Sequence, residues 1–214
     1  MSSARRFEDR TEAGERLGET LREREIAADI VLAIPRGGLP LGRAVADALD
    51  APLDVVVASK IGAPGNPEYA IGAVAADGSV WRNERAFEGA GADEEYFERE
   101  RKREAENARE KAERYRSGRS EPDLTGKDVV VVDDGVATGS TVRACLRTLA
   151  DAGAERIVLA VPVGPPDTIA ELRSMADEVV CLQTPGDFRG VGQFYDRFDQ
   201  VSDEEAMTYL DEHP

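Results

Sequence analysis

Short apolar runs alternate along the chain with stretches whose apolar residues recur at helical spacing. The runs at residues 30–34, 53–58, 128–132, 156–161 and 179–182 read as buried strands. The third, an aspartate followed by four valines, is the strongest of them. Between the runs, Phe7, Ala13, Leu17 and Leu21 predict a helix over residues 7–25, and a second helix fits residues 39–49. Val142, Cys145, Leu146 and Leu149 follow the i, i+3, i+4, i+7 rule of a third helix, and residues 166–175 form a fourth. Strand–helix alternation of this kind predicts an α/β protein, with a parallel sheet flanked by helices and joined by right-handed crossovers.

Three segments depart from the alternation. Residues 61–68 carry Gly62, Pro64, Gly65 and Pro67 and read as a loop. Two extended pieces, residues 70–75 and 79–81, flank Asp77-Gly78 and read as a hairpin. Residues 93–117 are dominated by charge, with a thin stripe of Tyr96, Phe97, Ala105, Ala108, Ala112 and Tyr115. That stripe fits a long surface helix, with a coiled-coil arm as the alternative. Residues 117–125 read as a loop, and the tail from residue 183 to 214 holds a short helix near 203–211. A length of 214 residues with no internal repeat predicts one domain.

Composition narrows the function classes. Forty-three acids oppose 27 bases, for a net charge of −16, so a nucleic acid partner is not expected. The acids are spread along the whole chain, which fits a surface adapted to high salt, where self-repulsion is screened. No stretch approaches the ~18 apolar residues of a membrane span, and residues 1–10 lack an apolar leader. The expectation is a cytoplasmic protein with no membrane partner. Cys145 and Cys181 sit in apolar runs without a ligand cluster and read as buried free thiols. The only histidine, His213, is the penultimate residue, which argues against histidine acid–base chemistry.

The candidate chemistry follows the valine run. Asp133-Asp134-Gly135-Val136-Ala137-Thr138-Gly139-Ser140-Thr141 leaves a strand and opens a helix. Such a loop lies at the carboxyl edge of a parallel sheet, where these folds bind ligands. Gly135 and Gly139 permit close backbone approach. Amides from Val136 to Thr141 can form a cup at a helix N-terminus, which favours an anion. Thr138, Ser140 and Thr141 add hydroxyl donors. The two carboxylates would repel a phosphate, so they suit the vicinal hydroxyls of a sugar, directly or through hydrated Mg²⁺. A cup beside a diol clamp describes ribose 5-phosphate. Neither G-x-x-x-x-G-K-[ST] nor G-x-G-x-x-G follows a strand, which disfavours P-loop nucleotide hydrolysis and dinucleotide binding.

The stretch from Val129 to Thr141 resembles the PRPP-binding motif of the type I phosphoribosyltransferases. The similarity extends to residues 7–14, to Ile34-Pro35-Arg36-Gly37-Gly38 and to residues 59–68. It implies the Rossmann-like fold of that family with a small hood, here from the N-terminal helix and residues 183–214. It implies a pentosyltransferase of nucleotide metabolism that uses PRPP and Mg²⁺ and releases pyrophosphate. It places a pyrophosphate loop, often of unusual peptide geometry, at Arg36, Gly37 and Gly38, and a lysine on the pyrophosphate at Lys60. Asp133 and Asp134 would hold the ribose and the metal, with Arg36 and Lys60 as further catalytic groups. Purine-salvage members carry an acid where this chain has Ala137, so that substrate class is disfavoured. Dimers are common in the family, and a homodimer is expected.

The acceptor is not legible. Residues 61–82 could form a mobile lid carrying Tyr69, Trp81 and Arg82. Phe188, Phe194 and Tyr195 could stack on a base or pack the hood against the sheet. A non-catalytic PRPP or nucleotide sensor would need the same cup, and so would a phosphorylase or hydrolase of ribose phosphates. The charge makes a separate prediction: unfolding followed in low salt and in molar KCl should show higher stability in KCl, and equal midpoints would contradict it.

Overall fold

The computed structural model describes residues 6–211; His213 lies outside them. The first helix, α1 (Arg10–Glu23), starts later than its apolar spacing suggests because Asp9 caps it, its carboxylate accepting from Glu12 N–H. Phe7 instead forms an extended bridge to Tyr195. The chain continues through β1 (Ile30–Ala33), α2 (Gly38–Leu49) and β2 (Leu53–Val55). It then forms β3 (Ala58–Ala63), β4 (Asn66–Ala75), β5 (Val80–Arg82), α3 (Glu84–Gly89) and α4 (Glu94–Arg116). It returns as β6 (Asp128–Val132), α5 (Ser140–Asp151), β7 (Arg156–Val163), α6 (Pro166–Leu172) and β8 (Glu178–Gln183). A 3₁₀ turn, Val191–Phe194, precedes α7 (Asp203–Asp211).

Five strands form one parallel sheet in the order β2-β1-β6-β7-β8. Its central strands β1, β6 and β7 are buried on both faces, which is why they read as apolar runs. Val31, Ala33, Val130 and Val132 point to the side covered by α1, α2 and α7. Leu32, Val129, Val131 and Leu159 point to α5 and α6. Helices α1 and α2 cross closely: a Cβ at Gly14 would stand 2.7 Å from Leu41 Cα.

Two expectations about the middle of the chain are corrected. The run at 53–58 is not one strand; β2 ends at Val55, and Ala58 begins β3 in a separate antiparallel sheet, β3-β4-β5. Residues 61–68 are not a loop. Strands β3 and β4 pair through them, and the reversal is confined to Pro64-Gly65, with Gly65 at φ 72°. The glycines suit the irregular register there: a Cβ at Gly62 would lie 2.6 Å from Pro67 O. The hairpin around Asp77-Gly78 is present as β4 and β5, and α3 is an addition that the sequence pattern does not announce.

The charged helix is α4, capped by Asp93, which accepts from Tyr96 N–H. Its stripe is thin but fully used. Phe97 and Ala105 pack on the antiparallel sheet, and Ala108, Ala112 and Tyr115 pack into the main core. Cys145 is buried, Cys181 partly so, and both are free. Among the described residues, no helix is long and apolar enough to cross a membrane.

The segment before α1 and the tail meet in the fold. Phe7 N–H donates to Phe194 O at 2.8 Å, and Asp196 N–H donates to Phe7 O at 2.8 Å. Phe194 and Tyr195 are buried there, so they pack and do not offer rings to a base. Phe188 stacks on Phe194 with centroids 5.6 Å apart. The close crossing of α1 and α2 predicts that Gly14→Ala lowers stability by about 1–3 kcal/mol. Urea unfolding measures it, and an unchanged midpoint would count against the packing described.

Candidate active site

The loop from β6 to α5 is held from behind. Thr168 Oγ1 donates to Ala137 O at 3.0 Å, and Arg143 donates to Thr138 O at 3.1 Å. In a trans peptide the next N–H points opposite to the carbonyl. The amides of Thr138 and Gly139 therefore face away from Thr168 and Arg143, toward the cavity. Gly139, at φ 75°, precedes α5 without any side-chain cap, so the helix N-terminus is open. Thr138 and Ser140 hydroxyls lie 3.2 Å apart at the same place. The result is a cavity of about 160 Å³ lined by Asp133 and residues 135–142. One expected donor is lost: Val136 N–H bonds Val163 O at 2.9 Å and is not free for an anion.

The two acids have different surroundings. Asp133 lines the cavity, and its Oδ1 accepts from Asp134 N–H at 2.8 Å. Asp134 Oδ2 is paired with Arg10 Nε at 2.9 Å, and the two side chains are only 15% and 12% exposed. Arg10 also donates to Asp199 O at 2.6 Å and lies 3.9 Å over the Phe198 ring. Tyr195 Oη donates to Asp134 O at 2.6 Å. Burial, and then the neighbouring Asp134 charge, pushes Asp133 well above the ordinary carboxylate value. Burial also raises Asp134, and Arg10 opposes that shift. Arg10 is a site residue that the sequence reading missed. Its only signal was its place in the first of the segments that resemble the family.

The loop after β1 lies against these acids. A Cβ at Gly37 would stand 2.1 Å from Asp134 Oδ2, and one at Gly38 2.7 Å from Val132 O, so only glycine fits either place. The Pro35–Arg36 peptide bond is cis. Gly38 N–H donates to Ile34 O at 3.0 Å, which corrects the expectation that both glycines offer amides and leaves Gly37 N–H for that role. Arg36 is drawn 3.8 Å from Asp203 at the start of α7. Lys60 pairs with Glu68 at 3.0 Å on the β3–β4 hairpin. Neither cation touches the cup, so an anion there would compete with Asp203 and Glu68 for them.

The antiparallel sheet faces the cup from the side. Lys60, Ala73 and Trp81 are cross-strand partners and share one face. Arg143 lies 5.0 Å over the Trp81 ring and also pairs with Glu171. Tyr69, Trp81 and Arg82 line a cavity with Thr138.

A family model described as phosphoribosyl transferase domain matches residues 8–199. Two curated Mycobacterium tuberculosis proteins, one from each of two strains, are named "Putative phosphoribosyl transferase". Each is 43% identical over 205 residues, covering 96% of this chain and 46% of the relative. The chain thus spans about half the length of the curated relatives it matches. Among solved structures, TT1426 from Thermus thermophilus is similar at 44% identity and a TM-score of 0.81, covering 96% of this chain and 97% of that one.

The raised Asp133 makes a stability prediction. A carboxylate whose native value lies above its unfolded one imposes no penalty below the ordinary 3.8, and a growing penalty as pH rises toward the raised value. Asp133→Asn should therefore raise the melting temperature at pH 7, with the gain shrinking toward pH 4. Melting curves at both pH values check this, and a gain equal at both would contradict it.

Proposed function

The chain belongs to the phosphoribosyl transferase family, and from that membership and the geometry of its loops we propose that it moves the 5-phosphoribosyl group of PRPP to a nitrogenous acceptor, releasing pyrophosphate. The observation that carries this reading is the β6–α5 loop, whose Ala137 and Thr138 carbonyls are tied back so that the following amides face a cavity beside Asp133. Those amides and the Thr138 and Ser140 hydroxyls would hold the 5-phosphate. Asp133 would accept from the ribose hydroxyls. Asp134, matched by Arg10, would fix the loop against the hood.

Gly37 N–H and the Arg36 and Lys60 side chains would receive the pyrophosphate, the two cations giving up Asp203 and Glu68. The bond from C1 to the pyrophosphate oxygen breaks ahead of bond formation with the acceptor nitrogen, and the electron pair leaves with pyrophosphate. Positive charge then develops on the ribose beside the Asp133 carboxylate. Ala137 offers no side chain to take the acceptor's proton, so the proton passes to solvent or to another group. Much of the rate enhancement would come from positioning.

The donor set fits magnesium. Among the described residues, no group of three or more acid, histidine or cysteine side chains is arranged to hold a metal. Mg²⁺ that keeps its waters and takes most ligands from substrate phosphates needs only one or two carboxylates. Asp133 would supply one, with Asp134 held by Arg10 behind it, and the ion when bound would offset charge on the pyrophosphate.

Pyrophosphate release from PRPP and Mg²⁺, measured across a panel of bases, tests the reading. Asp133→Asn and Thr138→Ala should each lower kcat/KM by about 10²-fold. Tight PRPP binding without turnover on any base would replace transfer with a sensing role.

A further inference from the structure

The row of cross-strand partners Lys60, Ala73 and Trp81 crosses the whole antiparallel sheet. Two strand spacings, about 10 Å, separate the lysine backbone from the tryptophan backbone. The sheet is attached to α5 at two levels. Toward the end of the helix, Thr148 Oγ1 lies 3.3 Å from Asp77 Oδ1, and Ser79 Oγ lies 3.2 Å from Asp151 Oδ2. At the start of the helix, beside the cup, the Arg143 guanidinium lies 5.0 Å over the Trp81 ring. Trp81 itself does not line the cup.

Arg143 is committed in three directions at once. Its Nη1 donates to Thr138 O at 3.1 Å, its Nη2 pairs with Glu171, and it covers Trp81. The side chain is only 5% exposed. A Cβ at Gly139 would stand 2.7 Å from Arg143 Nη1, so the guanidinium also packs against the loop. The carbonyl that it holds belongs to the same peptide as Gly139 N–H, which faces the cavity. A phosphate accepting from that N–H polarises the peptide and strengthens the bond from Arg143. Filling the cup therefore tightens Arg143, and Arg143 passes the change to Trp81. A lysine at 143 could not do this, because a point charge on a flexible stem cannot brace a carbonyl, pair with an acid and cover a ring together.

We propose that Arg143 and Trp81 are positioning residues that register the antiparallel sheet on an occupied cup and so set Lys60 against the pyrophosphate. The two act through Lys60 and not on the reacting atoms. The proposal rests on the reading of the cup as the 5-phosphate site and of Lys60 as a pyrophosphate ligand.

Trp81 is the only tryptophan in the chain, so its fluorescence reports on this contact alone. Ribose 5-phosphate binding, followed by calorimetry, should change that fluorescence. In Arg143→Lys the change should vanish while calorimetry still registers binding. Trp81→Leu should keep ribose 5-phosphate affinity within about twofold and lower PRPP affinity about tenfold. Lys60→Ala should also lower PRPP affinity, and adding Trp81→Leu to it should cause no further loss, the mark of two residues acting as one unit. Losses that add in the double variant, equal losses for both ligands in Trp81→Leu, or ribose 5-phosphate binding that leaves the fluorescence unchanged would each overturn the proposal alone. Binding of neither ligand to the unmodified chain overturns it together with the proposed function.

Discussion

A guanidinium at the first residue of α1 and a carboxylate just past β6 meet 2.9 Å apart, and the carboxyl edge of the sheet is organised around that pair. Two adjacent aspartates withdrawn from water repel each other and resist ionisation. Arg10 offsets one of them. It also holds the tail through the Asp199 carbonyl and the Phe198 ring, so a single side chain joins the N-terminus, the loop and the tail. Loss of either partner would leave a charge with little water around it, the costly case for a buried pair. With Asp134 committed in this way, Asp133 is the acid that faces the cup.

A second arginine does comparable work on the other side of the loop. Arg143 lies in the first turn of α5, supports the Thr138 carbonyl, pairs with Glu171 and covers Trp81. The cup and the antiparallel sheet are therefore mechanically connected: a shift of β5 would be felt at Thr138. Arginine suits such places because its planar fork makes several bonds at once and also stacks. Exposed pairs such as Arg101–Glu98 and Arg109–Glu106 on α4 contribute far less each. The helix is held instead by its apolar stripe, which spans both sheets.

Much of the architecture was readable because its signals are local. Buried parallel strands show as apolar runs, and α5 shows as Val142, Cys145, Leu146 and Leu149. The glycines of the β6–α5 loop and of Arg36-Gly37-Gly38 marked where backbone had to come close. Residues 61–68 misled because Gly62, Pro64, Gly65 and Pro67 have a loop's composition. Their strand character comes from cross-strand partners such as Gly72 opposite Ile61. The break after Val55 was equally invisible, since the chain stays apolar while it changes sheets.

The sequence alone determined the layered α/β class, the position of the loop cavity after β6 and the residue types that line it. Those properties depend on periodicity and backbone freedom within a few residues. Tertiary structure decided which groups are still available. Val136 and Gly38 amides are consumed by Val163 and Ile34, Arg36 and Lys60 are held by acids, and Asp134 belongs to Arg10, 124 positions away. A hydrogen-bonding group's availability depends on what folds against it, and no local pattern encodes that.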